Sequence, residues 1–164
     1  GNFVNQGHIS VGNGDNLNVL AATGFSNQGT ITLSGGGALH LHDNLATADL
    51  GIIANSGGTV FLDGTLNNTG ATLATGSAGI GTTVLTGTVA GGTVTGAGLV
   101  FGGGTLSGVD VQGTLDLSAS GSRLHVTNGI TLSGTGGVGP ATVLQWRRSH
   151  RLSPRRTIRP WPTR

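Results

Sequence analysis

The chain has 164 residues, of which 33 are glycine, 9% are charged and only 4% are aromatic, and it contains no cysteine, methionine, lysine or glutamate. The few large side chains and the lack of cysteine exclude a thick spherical core and a disulfide framework, and the abundant, periodic apolar residues exclude a disordered chain. Residues 1–144 carry six Asp and one Arg for a balance of −5, whereas residues 145–164 carry seven Arg and no acid for a balance of +7.

A nine-residue phrase occurs twice at the start of the chain, as FVNQGHISV at residues 3–11 and as FSNQGTITL at residues 25–33, 22 positions later. Both copies contain an aromatic residue, then Asn-Gln-Gly, then an alternating apolar run. A weaker pattern of apolar, any, Asn, polar, Gly begins at Ile53 and at Leu66. Because Asn and Gly tolerate left-handed backbone conformations best, each copy predicts a turn that enters a strand with one face inward.

The second half of the chain repeats a different phrase at nearly the same period. Gly-Thr followed by Val or Leu begins at Gly92 and Gly113, and a further Gly-Thr pair begins at Gly134. No apolar stripe of helical period persists, and an antiparallel sandwich has no reason to repeat every 21–22 residues. We therefore predict an all-β fold, a right-handed parallel β-helix (β-solenoid) of about seven coils of roughly 20–22 residues over residues 1–143.

Equivalent residues of successive coils should form ladders along the axis of such a solenoid. Phe3 is expected to stack on Phe25. Four asparagines are expected to stack at one corner, each amide bonding the next: Asn5, Asn27, Asn55 and Asn68. The segment HDNLATADLG at residues 42–51 breaks the period, and we predict that it bulges out as a loop.

Three phrases resemble the passenger regions of bacterial autotransporters and filamentous-haemagglutinin-type adhesins: TITL at residues 30–33 after its Asn-x-Gly turn, GGTLSG at 103–108 and QGTLDLS at 112–118. The resemblance covers residues 1–143. It implies secretion or display at the outer membrane of a bacterial cell, a structural and adhesive role, and contact with glycans or proteins of host or neighbouring cells.

Two further expectations concern the size of the protein and its relation to membranes. Because the chain contains no Met, we expect it to be part of a longer protein. We expect this part to form a monomeric rod. No apolar run approaches the ~18 residues of a membrane helix, so we expect no membrane insertion by this segment.

Two stretches suggest metal sites, and neither offers a complete ligand set. VGNGDNLNV at residues 11–19 is similar to the calcium-binding nonapeptide of β-roll toxins, but no spacer separates Gly14 from Asp15, so a turn is the favoured interpretation. His40 and His42 lie on one side of a predicted strand, with Asp43 as a candidate third ligand. We favour exposed surface histidines, predict no metal or cofactor site, and expect neither calcium nor zinc to raise the melting temperature.

Asp110 and Asp116 form the candidate carboxylate pair of a polysaccharide-cleaving enzyme. Gly113 between them predicts a corner that separates them. Polysaccharide lyases need cationic groups, and residues 1–144 contain only Arg123. We therefore predict no catalytic residues and no enzyme, with a carbohydrate-active β-helix hydrolase or lyase as the alternative.

Thr30-x-Thr32 and Thr93-x-Thr95 are the kind of pairs that ice-binding solenoids repeat on every coil. These motifs do not recur at each period of the sequence. We therefore predict no regular threonine ladder.

The C-terminal segment QWRRSHRLSPRRTIRPWPTR, residues 145–164, differs from the rest in having seven Arg, three Pro and both Trp. Anion or nucleic-acid binding through this segment is a second alternative function. The favoured interpretation is that residues 144–164 are a disordered tail that is not native to the fold, so no specific nucleic-acid partner is expected.

Overall fold

The computed structural model describes residues 1–21 and 24–145, which form eighteen β-strands and two short 3-10 helices, Thr47–Leu50 and Thr135–Gly137. The strands are β1 (Asn2–Asn5), β2 (His8–Val11), β3 (Asn16–Val19), β4 (Gly24–Asn27), β5 (Thr30–Ser34), β6 (Ala38–Leu41), β7 (Asn44–Ala46), β8 (Ile52–Ser56), β9 (Thr59–Leu62), β10 (Thr65–Asn67), β11 (Thr72–Ala74), β12 (Thr82–Leu85), β13 (Thr88–Ala90), β14 (Thr93–Thr95), β15 (Leu99–Gln112), β16 (Thr114–Leu117), β17 (Arg123–Ser133) and β18 (Thr142–Gln145). All ladders between these strands are parallel. The predicted β-solenoid is thereby confirmed.

The strands form an 11-stranded sheet, a three-stranded sheet β2-β5-β8 and two two-stranded sheets, β1-β4 and β16-β18. Phe3 lies in register with Phe25, and their rings stack with centroids 5.6 Å apart, as predicted. The described residues make about 6 turns with coils of about 22 residues, rather than the seven coils predicted.

The core consists of columns of apolar side chains that stack along the solenoid axis. In one column every member is at most 3% exposed: Val19, Leu41, Leu62, Leu85 and Phe101. Burying each such side chain contributes about 1.5–3 kcal/mol. The alternate residues of the same strands point outward, so outward side chains of neighbouring coils are also aligned in columns.

The recurring asparagines bond to the main chain of the next coil. Of the four, only Asn5 and Asn27 form the predicted amide ladder, with Nδ2 of Asn5 donating to Oδ1 of Asn27 at 2.7 Å. In all four repeats, however, Nδ2 donates to the carbonyl oxygen 25 residues later: Asn5 to Thr30 (3.4 Å), Asn27 to Ile52 (3.0 Å), Asn55 to Ile80 (3.0 Å) and Asn68 to Thr93 (2.8 Å). The single stack predicted for all four is wrong, because Asn55 lies in β8 of the three-stranded sheet. None of the four asparagines has a positive φ, so left-handed backbone geometry does not explain why asparagine recurs at these positions. The hydrogen bonds that the side-chain amide donates to the next coil explain it.

The glycine that ends the Asn-Gln-Gly phrase allows two coils to approach closely. A Cβ added to Gly29 would overlap the carbonyl oxygen of Gly7 and lie 2.8 Å from its nitrogen. Gly64 and Gly87 face the same obstacle at another corner, where an added Cβ would overlap main-chain oxygens of Asp43 and Gly64 respectively. At these corners glycine is required by contact between main chains.

The predicted bulge at residues 42–51 is wrong. Residues Asn44–Ala46 form β7, which pairs in parallel with β10. Leu45 and Leu50 are 5% and 3% exposed and belong to the core, which holds the segment inside the coil.

At the C-terminal end of the described chain, β18 continues to Gln145, beyond the predicted boundary at Val143. The remainder of the predicted tail, residues 146–164, lies outside the described residues. Among the described residues the structure contains no helix with the length and apolar character needed to cross a membrane.

Candidate functional site

A cluster of outward side chains lies on the 11-stranded sheet where β6, β9 and β12 run side by side. His40 of β6 is in register with Phe61 of β9. His42 and Asp63 directly follow β6 and β9 in the sequence. The parallel ladder therefore places two imidazoles of one coil beside a carboxylate of the next. We call His40, His42 and Asp63 the His–Asp cluster.

The three side chains of the cluster are in contact with one another. Nδ1 of His40 lies 2.8 Å from Oδ2 of Asp63, and Nδ1 of His42 lies 3.8 Å from the same oxygen. The two imidazole rings are nearly parallel, with centroids 5.8 Å apart. The other Asp63 oxygen, Oδ1, accepts a hydrogen bond from the Thr86 hydroxyl. One carboxylate thus joins residues from three successive coils.

The main chain fixes the positions from which these side chains project. The amide of His42 donates to the Val19 carbonyl at 3.2 Å, and the amide of Asp63 donates to the Leu41 carbonyl at 2.9 Å. Phe61 stacks on His40 with a centroid distance of 4.2 Å and an interplanar angle of 6°. The backbone ladder and this aromatic stack hold the cluster on a rigid sheet.

The cluster keeps Asp63 ionised. Burial raises the pKa of the Asp63 carboxyl, but the hydrogen bonds from Thr86 and His40 and the positive potential of both histidines outweigh it, so the pKa lies below its ordinary value. The Asp63 side chain is 18% exposed, and the His40 and His42 side chains are 24% and 35% exposed. All three side chains of the cluster are therefore partly accessible to solvent.

Asp43, the candidate third ligand considered from the sequence, does not join the cluster. Its Oδ2 accepts a hydrogen bond from the amide of Ala21 in the preceding coil. The sequence prediction missed Asp63 because His42 was not compared with the residue one coil later. The signal was present, since Asp63 follows His42 in the sequence by one coil period.

The predicted turn at the calcium-like stretch is confirmed. Asn13 and Gly14 have positive φ angles of 53° and 79°, and the amide of Asp15 donates to the Gly12 carbonyl at 2.8 Å. This is the hydrogen-bonded turn geometry that Asn and Gly favour.

Asp110 and Asp116 are separated by the corner predicted at Gly113, which has a φ of 114°. Asp110 belongs to β15 of the 11-stranded sheet, and Asp116 belongs to β16, which pairs with β18 in another sheet. Each acid has its own partner: Gln112 donates to Asp110 at 2.8 Å, and the Ser118 amide donates to Asp116 at 2.8 Å. The hydrogen bonds from Ser118 lower the pKa of Asp116. This arrangement gives no support to a shared glycosidase site.

No regular threonine ladder was predicted from the paired motifs, and Thr30 is in register with His8 and Ile52, but one short column of threonines does form. Thr65, Thr88 and Thr105 lie in register on β10, β13 and β15. We call these three residues the threonine column. The outward residues beside it are Asn67, Ala90 and Ser107, so the face is a mixture of hydroxyl, amide and methyl groups. The column was hard to find in the sequence because its spacings are irregular. The spacing from Thr65 to Thr88 is longer than the average period, and the spacing from Thr88 to Thr105 is much shorter.

Comparison with known proteins finds no relative of this chain. No protein-family model, no curated protein and no solved structure matches the chain. The resemblance to autotransporter passengers and adhesins stays a prediction from short phrases.

Proposed function

We propose that this chain is a structural and adhesive segment of a secreted or surface-displayed bacterial protein. The observation that carries the proposal is a parallel solenoid with one outward column that presents three threonines, with Asn67, Ala90 and Ser107 beside them, at the spacing of the coils. The resemblance of residues 30–33, 103–108 and 112–118 to autotransporter passengers and adhesins supports the same role.

The threonine column is the part of this surface best arranged for binding. Its three threonines are half-buried and lie on adjacent strands, which run about 4.8 Å apart. Thr is β-branched and loses little further side-chain freedom when a ligand binds. A row of fixed hydroxyls suits the hydroxyl groups of a neutral glycan chain. Weak affinity at each coil would be raised by repetition along the rod.

Retention on immobilised neutral glycans tests this proposal. We expect the intact chain to be retained and a variant with Thr65, Thr88 and Thr105 changed to Val to lose most of that retention. The matched control replaces Thr30, Thr32 and Thr82 with Val, because these are also partly or fully exposed strand threonines but lie outside the column.

Equal retention of the two triple variants, or no retention of the intact chain, would contradict adhesion through this face. Release of new sugar ends from a polysaccharide would instead favour the alternative of a carbohydrate-active enzyme. Labelling of intact bacterial cells with an antibody to the chain tests surface display separately.

A further inference from the structure

The His–Asp cluster brings together one ligand atom from each of three side chains, all within 4.8 Å of one another. Two of these atoms are imidazole nitrogens and the third is a carboxylate oxygen. We propose that His40, His42 and Asp63 form a binding site for a divalent transition-metal ion of the zinc type. This inference is independent of the adhesive role, since the cluster and the threonine column share no residue.

Two of the three distances between the ligand atoms are close to those that coordination requires. Bonds of about 2.0–2.2 Å from zinc to nitrogen and oxygen place the ligand atoms of a tetrahedral site roughly 3.3 Å apart. The two Nδ1–Oδ2 distances, 2.8 Å for His40 and 3.8 Å for His42, lie on either side of that value. Rotation of the partly exposed histidine side chains out of their parallel stack would seat the ion, which would replace the proton in the hydrogen bond between His40 and Asp63.

The chemistry of the donor set selects the class of ion. Imidazole nitrogen with one carboxylate oxygen suits zinc, cobalt, nickel and copper, whereas calcium takes six to eight oxygen ligands. The histidine side chains are partly exposed, so solvent can complete the coordination shell.

Neighbouring residues orient the ligands as they do in metal proteins. The Thr86 hydroxyl bonds the Asp63 oxygen that does not face the histidines. Phe61 covers one face of the His40 ring. Partners of this kind fix ligand orientation, and their loss commonly weakens metal affinity by about 10–100-fold. The proposal replaces the expectation that zinc has no effect, which was based on the absence of a complete ligand set around His40 and His42 in the sequence.

The test is zinc titration of the full chain, purified without a histidine tag, by isothermal calorimetry and by thermal unfolding. We expect one zinc ion per chain and a rise in melting temperature of about 5 °C or more at zinc concentrations near 100-fold above Kd. His42→Gln and Asp63→Asn should each weaken binding by at least about tenfold. Cobalt should give visible absorption bands of a four-coordinate site, and calcium should have no effect.

His8→Gln is the matched control, because His8 is an exposed strand histidine in the sheet β2-β5-β8, away from the cluster. It should bind zinc as the unaltered chain does. Circular dichroism confirms that each variant is folded before titration. The proposal is overturned if the unaltered chain binds no zinc, or if folded His42→Gln and Asp63→Asn bind it as tightly as the unaltered chain. Either result would leave the three residues as a hydrogen-bonded surface group.

Discussion

Two glycines at equivalent positions of successive coils should respond in opposite ways to the same substitution. Changing Gly29 to Ala places a methyl group against the main chain of Gly7, 2.8 Å from its nitrogen and 2.9 Å from its carbonyl carbon. Changing Gly7 to Ala places the same group where no atom lies within 4 Å. Neither glycine has a positive φ, so the contact between coils is the variable that differs.

The cost at Gly29 follows from the hydrogen bonds that hold this corner. Making room for the methyl group separates main chains joined by three bonds, from the amides of Gln28 and Gly29 to Asn5 at 2.8 and 2.9 Å and from Thr30 to Gly7 at 2.9 Å. Losing one or two of these bonds costs about 1 kcal/mol each, and overpacking adds about 1–3 kcal/mol. Replacing Gly by Ala also lowers the conformational entropy of the unfolded chain, which stabilises the folded protein by about 0.4–1 kcal/mol. We therefore expect Gly29→Ala to lower the free energy of unfolding by about 3 kcal/mol.

Gly7→Ala changes only the entropy of the unfolded chain, so the variant should be as stable as the unaltered chain or up to about 1 kcal/mol more stable. The two variants should differ in melting temperature by about 10 °C, measured by circular dichroism and checked by urea unfolding. If Gly29→Ala melts within about 1 °C of Gly7→Ala, contact between coils does not explain the recurring glycine.

Two further predictions test the asparagine repeat and the basic segment. Changing Asn27 to Ala removes one bond from Asn5 and two to carbonyl oxygens of the next coil, and should cost about 2–4 kcal/mol in urea unfolding. Gln28→Ala removes only an exposed bond and should stay within about 0.5 kcal/mol, so equal losses would refute the role given to the buried amide. Deleting residues 146–164, which keeps β18 complete, should preserve the β-sheet circular dichroism and abolish heparin binding that weakens steeply with salt. Loss of the β-sheet signal on deletion would show instead that these residues stabilise the solenoid.

The coil period could be predicted from the sequence because two coils carry almost the same phrase. The stack of Phe3 on Phe25 was predicted because the two residues open the two copies of that phrase. The corner at Gly113 was predicted from the glycine itself. The role of the asparagines could not be predicted in the same way, because their partners are carbonyl oxygens, which every residue has. The bulge was wrongly predicted for residues 42–51 because the segment breaks the repeated phrase, whereas Leu45 and Leu50 are buried in the core.

Coil length explains why the two outward features of this solenoid were harder to predict than its core. An inward position tolerates many apolar residues, so the core pattern persists when a coil gains or loses a residue pair. An outward cluster requires particular side chains to meet across coils, and therefore depends on each local spacing. Asp63 meets His42 across a shorter spacing in the sequence than the one that separates Thr65 from Thr88. Because side chains alternate along a strand, one inserted residue between His42 and Asp63 within the strands would turn the carboxylate toward the core and destroy the cluster. Functional groups on a solenoid are therefore found by comparing each candidate residue with the residue that lies one local coil length later in the sequence. This comparison pairs His42 with Asp63.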